Sequence, residues 1–312
     1  MRAFIFPGQG SQAVGMGAAL ADASRTAREV FDEVDEALGQ SLFRLMKEGP
    51  DEDLKLTENA QPAIMAHALA VFTVLTREGG VDLAKAAQFA AGHSLGEYSA
   101  LCAAGSFDLA TTARLLKLRG RAMQAAVPIG QGAMAALLGA DLGLAQTIAD
   151  AAAQGEVCTV ANDNDPSQVV LSGHKGAIDR AIAMAKDMGA KRAVSLPVSA
   201  PFHCPLMRPA ADAMRAALDE VVLQTPSVPL YANVTAAPES DPETIRRQLV
   251  EQVTGMVRWR ESIANMAAAG VEDFVEIGGK VLGPMVKRIA PDAKVTSVIT
   301  IEDVEALAKE IA

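Results

Sequence analysis

Phe89-Ala90-Ala91-Gly92-His93-Ser94-Leu95-Gly96 reads as a short run of small apolar residues, a sharp turn and the start of a helix. Gly92, Ser94 and Gly96 fall in the G-x-S-x-G pattern, and strand, turn, helix is the context in which that pattern makes a nucleophile elbow. The glycines carry no Cβ, so the chain turns tightly and pushes the Ser94 hydroxyl out at the helix N-terminus. There, unpaired N–H groups and the helix dipole favour a developing oxyanion. The plain alternative is an ordinary glycine-rich turn. The flanking strand and helix favour the nucleophile.

Outward from the elbow, strands alternate with helices. Residues 2–6 predict a buried first strand, and Val30, Val34 and Leu38 recur at four-residue spacing in a helix from Ser24 to Leu38. Gln61-Pro62 opens a long helix running to about Thr76. Helices follow at 95–104 and 109–126, the second capped by Asp108. Pro128-Ile129-Gly130-Gln131-Gly132 then breaks the pattern. Between there and Leu196-Pro197 the order is strand 133–138, helix 142–153, strands 157–161 and 168–172, helix 175–188 and strand 191–196. That is the β-α-β-β-α-β ferredoxin-like unit. Helices at 205–220, 242–253 and 260–269, strands at 228–233, 272–277 and 295–299, a helix near 281–289 and a terminal helix complete the chain. The expected fold is α/β. Residues 1–127 and 198–312 form a large domain with a hydrolase-like, mainly parallel sheet, and 128–197 form a small inserted ferredoxin-like α+β subdomain.

Bulk properties agree. The 312 residues are half hydrophobic, with few aromatics, which suits helices packed tightly on a sheet. A net charge of −10 gives no global basic footprint for nucleic acid. Cys102, Cys158 and Cys204 are widely spaced and odd in number, so neither a disulfide framework nor a zinc site is expected. The opening apolar run stops at Pro7, too short for a signal peptide, and no later run could span a membrane. A cytoplasmic protein is expected. A monomer is expected.

A serine nucleophile needs a base, and there are four histidines. His93 adjoins Ser94 and its side chain should diverge from it, shaping the pocket instead. His67 lies mid-helix, where a core or surface role is the plainer reading. His174 starts a helix of the inserted unit. His203, in Pro201-Phe202-His203-Cys204-Pro205, lies in an irregular segment where the chain re-enters the large domain and can face a cleft; it is the favoured base, with a structural loop histidine as the alternative. The hydrolase order would place an acid between Ser94 and His203, and that interval is mostly the inserted unit. A Ser-His dyad oriented by a backbone carbonyl is therefore preferred to a triad.

Arg119 shares an apolar stripe with Leu115 and Met123, off which Arg114, Lys117 and Arg121 largely lie. A buried arginine must be paired: either with a buried Asp or Glu, or held as a fork for a substrate carboxylate. The sequence leaves the two even. Gly8-x-Gly10-x-x-Ala13 matches the dinucleotide fingerprint formally, but Pro7 separates strand from loop and further glycines follow. A loop offering N–H groups to an oxyanion fits better. Gly278-Gly279-Lys280 is not a phosphate-binding loop, since Phe274 stands where its first glycine belongs.

Taken together, Phe6-Pro7-Gly8-Gln9-Gly10-Ser11-Gln12, Gly92-His93-Ser94-Leu95-Gly96-Glu97-Tyr98, Arg119-Gly120, Pro201-Phe202-His203-Cys204, Asn233-Val234, Gln248-Leu249-Val250-Glu251-Gln252 and Glu276-Ile277-Gly278-Gly279-Lys280-Val281-Leu282 resemble the malonyl-CoA:acyl carrier protein transacylases and the acyltransferase domains of fatty acid and polyketide synthases. The likeness spans essentially the whole chain. Its one departure is Gly279, where the family often has proline. The resemblance implies Ser94 as acylated nucleophile, His203 as base oriented by the Gln252 carbonyl, and the N–H groups of Gln9 and Leu95 as oxyanion hole. It also implies Arg119 on the malonyl carboxylate and Asn162 lining the pocket. Phe202 should crowd the α-carbon side and favour malonyl over methylmalonyl. No metal or redox cofactor is implied; the substrates would be malonyl-CoA and phosphopantetheinylated acyl carrier protein. An acidic carrier would need a local basic patch, drawn from Arg114, Lys117, Arg121, Lys191, Arg192, Lys287 and Arg288. A serine hydrolase or thioesterase, a nucleotide-binding oxidoreductase and a non-catalytic carrier-binding scaffold are the competing readings.

Overall fold

The computed structural model describes residues 1–198 and 200–311. Ser199 and Ala312, both within the range expected for the large domain, lie outside the described residues. Among the described residues ten strands form two sheets: β1 Arg2–Phe6, β2 Phe89–Gly92, β3 Gly132–Leu138, β4 Cys158–Asp165, β5 Gln168–His174, β6 Arg192–Ser195, β7 Leu230–Ala232, β8 Ala237–Glu239, β9 Asp273–Ile277 and β10 Lys294–Val298.

The six-stranded sheet has the order β10-β9-β1-β2-β7-β8, parallel except where β8 folds back antiparallel on β7. β1 and β2 are apolar on both faces, and every residue from Ala3 to Phe6 and from Phe89 to Gly92 is buried. Strands covered by helices on both faces require this pattern. Ligands of such sheets bind beyond the carboxyl ends of the strands, and the loops leaving β1 and β2 carry Gln9 and Ser94 there.

The four-stranded sheet has the order β4-β5-β3-β6, all antiparallel. With helices Leu142–Ala153 and Lys175–Ala185 this is the ferredoxin-like arrangement. It has its own core around Leu137, Ile148, Leu171 and Ile178. The outer edge of β4 docks on the large sheet's layer: the Asp163 and Val257 N–H groups donate to Val257 O at 3.0 Å and Ala161 O at 2.9 Å.

Two expectations change. The long helix spans Thr57–Arg77, one turn earlier than Gln61-Pro62 suggested, with Pro62 inside it. Standing in the second turn, Pro62 forfeits the backbone bond to Glu58, and its ring crowds that carbonyl. That helix is buried on almost every side. Lys117, expected off the apolar stripe, is buried as well, because helix Leu109–Ala126 packs against several helices rather than one. Its ammonium meets Asn59 Oδ1 at 2.8 Å and Glu58 at 3.2 Å.

Candidate active site

Ser94 adopts φ 53°, the left-handed region that L-residues avoid. A serine stays there only where its surroundings over-determine it. Gly92 supplies part of that constraint, since a Cβ at this position would lie 1.9 Å from the Gly96 backbone. Asn233, just beyond β7, supplies the rest. The Ser94 N–H donates to Asn233 Oδ1 at 2.8 Å, and Asn233 Nδ2 donates to Gly92 O at 2.7 Å. The elbow is thus pinned on both sides of its nucleophile.

The Ser94 hydroxyl lies 2.7 Å from His203 Nε2, and His203 Nδ1 lies 2.8 Å from the Gln252 carbonyl oxygen. A carbonyl only accepts, so Nδ1 carries the proton and Nε2 is left to accept from Ser94. His203 also sits at positive φ, 55°. Burial, then the nearby Arg119 charge, push its pKa down to about 3. It is neutral, and ready to accept a proton, across the physiological range.

Arg119 is 1% exposed. Its Nη1 donates to Gln61 Oε1 at 2.7 Å, and its Nη2 donates to Gln252 Oε1 at 2.8 Å and to Ser94 Oγ at 3.1 Å. The guanidinium also stacks over the Tyr98 ring at 5.8 Å. Among the described residues no carboxylate forms an ion pair with it, and its Nε has no hydrogen-bond partner. A buried cation held by neutral amides is costly; it gains most when an anion enters beside it. Gly120 makes this placement possible. A Cβ there would come within 2.5 Å of Glu58 Cα, so glycine lets the two helices cross closely enough for Arg119 to reach Gln61.

These groups open into a cavity of 530 Å³ lined by both sheets' layers. Gln9, Leu95, Met123, Phe202, His203 and Leu282 come from the large layer, Met134, Asn162, Asn164 and Val170 from the small one. Among the described residues, the Gln9 and Leu95 N–H groups have no internal acceptor. His93 does diverge from Ser94: its Nε2 lies 2.8 Å from Asn164 Oδ1 across the cleft, and its ring packs edge-on to Trp259 at 5.6 Å. Every expected site residue therefore meets in one place. Gln61, Asn164 and Asn233 were given no role from the sequence, because each acts on a group far away in the chain. Among the described residues no group of three or more His, Cys, Asp or Glu could hold a metal, and no helix is long and apolar enough to cross a membrane.

The acyl transferase domain matches residues 3–283 of this chain. The chain belongs to the acyl transferase domain family. A relative within it is the malonyl CoA-acyl carrier protein transacylase of Escherichia coli K12, 46% identical over 288 residues covering 92% of each chain. A solved acyl-carrier-protein-S-malonyltransferase from Bartonella henselae has a TM-score of 0.97 at 52% identity, covering 99% of both chains. A malonyl-transacylase solved in complex with its type II PKS acyl-carrier protein has a TM-score of 0.95 at 39% identity, covering 99% of each chain. The acyl transferase fold thus extends over nearly all of this chain, cavity included.

Proposed function

We propose that the chain is a malonyl-CoA:acyl carrier protein S-malonyltransferase, supplying fatty acid synthesis by a ping-pong route through a malonyl-serine. The observation that carries this reading is the sharing of one hydroxyl. Ser94 Oγ lies within hydrogen-bond distance of both His203 Nε2 and Arg119 Nη2, so the nucleophile and a carboxylate receptor occupy one cavity. The close relatives' activity supports the choice of malonyl.

Malonyl-CoA enters between the large domain, residues 1–127 and 198–312, and the subdomain, 128–197. Its free carboxylate pairs with Arg119. His203 Nε2 takes the Ser94 proton as Oγ attacks the thioester carbon. The Gln9 and Leu95 N–H groups hold the oxyanion, a device worth about 3 kcal/mol per donor. The C–S bond breaks and the CoA thiolate leaves with the proton from His203. The phosphopantetheine thiol of acyl carrier protein then gives its proton to His203 and attacks the malonyl-serine carbonyl; the C–O bond breaks, and Ser94 Oγ takes the proton back from His203. Side chains and backbone supply every step, so the route as written uses no metal or redox cofactor. Asn162 and Phe202 shape the acyl pocket, with Phe202 crowding a branched α-carbon, and His93 holds the subdomain wall through Asn164.

Transfer rather than hydrolysis requires an acyl-enzyme that outlives contact with water. The Arg119–carboxylate pair fixes the malonyl group in a geometry that a thiol reaches and water uses poorly. The deciding experiment is intact mass after brief mixing with malonyl-CoA, and again after adding phosphopantetheinylated carrier protein. An adduct absent from Ser94→Ala and passed to the carrier is the expected result. CoA and free malonate accumulating without carrier would instead make the chain a hydrolase.

For the carrier, we propose docking on exposed basic residues beside the cavity mouth. Lys191 and Arg192 lie just before the lining residues Leu196 and Pro197, and Lys287 and Arg288 just after Met285. Charge reversal at Lys191 and Arg192 should raise KM for carrier protein and leave malonyl-CoA kinetics alone; equal effects on both substrates would refute the site. A cytoplasmic location completes the proposal.

A further inference from the structure

Gln252 serves the site twice. Its carbonyl holds the base, and its side-chain Oε1 accepts from Arg119 Nη2. A primary amide can sit either way round with almost the same shape. If it turned, its NH₂ would face the guanidinium, donor against donor, and Arg119 would lose one of its two amide holds. Something must decide which end faces Arg119.

The far end of the amide meets Glu97. Gln252 Nε2 donates to Glu97 Oε2 at 2.6 Å and to the Ser94 carbonyl oxygen at 3.0 Å. Glu97 is 1% exposed, in the first turn of helix Gly96–Ala103, three residues beyond the nucleophile. Its Oε2 also accepts the Asn233 N–H at 3.3 Å, while Oε1 has no partner among the described residues. Burial pushes the Glu97 carboxyl up to about 7. With Oε2 committed to two N–H donors, a proton on this group sits on Oε1, and Oε2 accepts in either state.

We infer that Glu97 is a positioning residue for carboxylate selection: by accepting from Gln252 Nε2 it turns Gln252 Oε1 towards Arg119 and holds the guanidinium ready for the acyl carboxylate. The role rests on the malonyltransferase reading above. Glu97 touches neither the substrate nor Ser94 Oγ. Its stronger bond runs through Gln252 to Arg119, and its longer one, at 3.3 Å, to the Asn233 N–H beside the elbow, so its loss penalises a carboxylated acyl group more than an uncharged one.

The test is Glu97→Gln, whose amide can offer either end to Gln252, with Glu97→Asp as a second variant that keeps the carboxyl but withdraws it by one methylene. Three rates are compared with wild type: acylation by malonyl-CoA, acylation by acetyl-CoA, and phosphonylation of Ser94 by an uncharged phosphonate. The expected result is a rise in KM for malonyl-CoA and a fall of about tenfold or more in the malonyl-to-acetyl ratio of kcat/KM, the size expected for one hydrogen bond to a charged group. Phosphonylation should fall less than acylation by malonyl-CoA, since Ser94 Oγ and His203 keep their contact with each other. An unchanged malonyl-to-acetyl ratio, whether all three rates fall together or none does, would overturn the assignment and leave Glu97 a structural support of the elbow. Failure of both variants to fold would do the same. If wild type itself takes no malonyl group, the malonyltransferase reading fails instead, and that outcome is visible before any variant is made.

Discussion

Arg119 stands close enough to His203 to lower the pKa of its imidazole. Burial and the guanidinium charge hold His203 at about 3, against an ordinary histidine near 6.5. The base works only when neutral, so acylation should be lost as pH falls through the folded value, not through the ordinary one. The kcat/KM for malonyl-CoA should stay flat from pH 7 to pH 5, where an unperturbed histidine would have cost over tenfold. Stopped-flow acylation in that range checks it, and a limb near 6.5 would contradict the burial argument. Arg119→Ala removes the larger of the two charge effects that lower it, so its acid limb should move up. The same variant should lose malonyl transfer by about a hundredfold or more, as for loss of a buried charge-assisted pair. Relative use of acetyl-CoA should rise, read from the same kinetics. From the sequence, Arg119 was evenly poised between a structural ion pair and a substrate fork. Its partners, Gln61 and Gln252, are 58 and 133 residues away, a proximity no local pattern encodes. His203 was legible because four histidines left few choices, and its neighbours marked a loop.

At the level of elements, legibility followed periodicity. Helices Arg25–Leu38 and Leu109–Ala126 and the β-α-β-β-α-β run emerged close to their observed bounds because their apolar spacing and caps are strong; Ser24 and Asp108 each accept an N–H of the first turn. Short helices such as Leu42–Glu48 and Asp51–Lys55 and the edge strand β8 went unseen. They are too brief to show a period and owe their form to tertiary contacts. The start of helix Thr57–Arg77 was missed for another reason: proline is favoured at the first turn, and here it stands later. What that helix does for the site depends on its crossing with Leu109–Ala126 at Gly120. Gly120→Ala would thrust a Cβ to 2.5 Å from Glu58 Cα, and the helices must part. The expected cost is about 1–3 kcal/mol, measured by urea denaturation. Malonyl transfer should fall further than Ser94 phosphonylation, because parting the helices draws Arg119 off Gln61 while the elbow, on another element, stays put. Equal losses would mean that the crossing supports the elbow too.

Across the whole molecule, the eight-residue strand β4 carries ion pairs between the two layers. Along β4, Asn162-Asp163-Asn164-Asp165 is interrupted by register shifts against β5 between Val160 and Asn162 and between Asp163 and Asp165, yet its side chains divide between two sides. Asn162 and Asn164 line the cavity, while Asp163 and Asp165 reach back to Arg260 and Arg288 of the large layer. The two ion pairs look alike but should not weigh alike. The Asp163 side chain is 2% exposed, and both of its oxygens meet Arg260 Nε at 3.0 Å; among the described residues nothing else bonds to it. Asp165 is fully buried, yet its Oδ1 also accepts the N–H and hydroxyl of Ser167, each at 2.9 Å. Removing Arg260 therefore strands a buried carboxylate, whereas removing Arg288 leaves one that is still half satisfied. Both arginines are more than a third exposed, at 35% and 46%, so solvent screens part of each pair. We expect Arg260→Ala to cost about 2–3 kcal/mol and Arg288→Ala about 1 kcal/mol, by chemical denaturation. Most of the larger loss is the penalty of an unpaired buried charge rather than the missing attraction. Adding Asp163→Asn to Arg260→Ala should therefore restore part of the stability, because the amide is neutral. If the double variant is no better than the single one, the seam is held by attraction across it. The parallel backbone bonds of β4 to Val257 then contribute less to the docking of the two layers than their placement suggests.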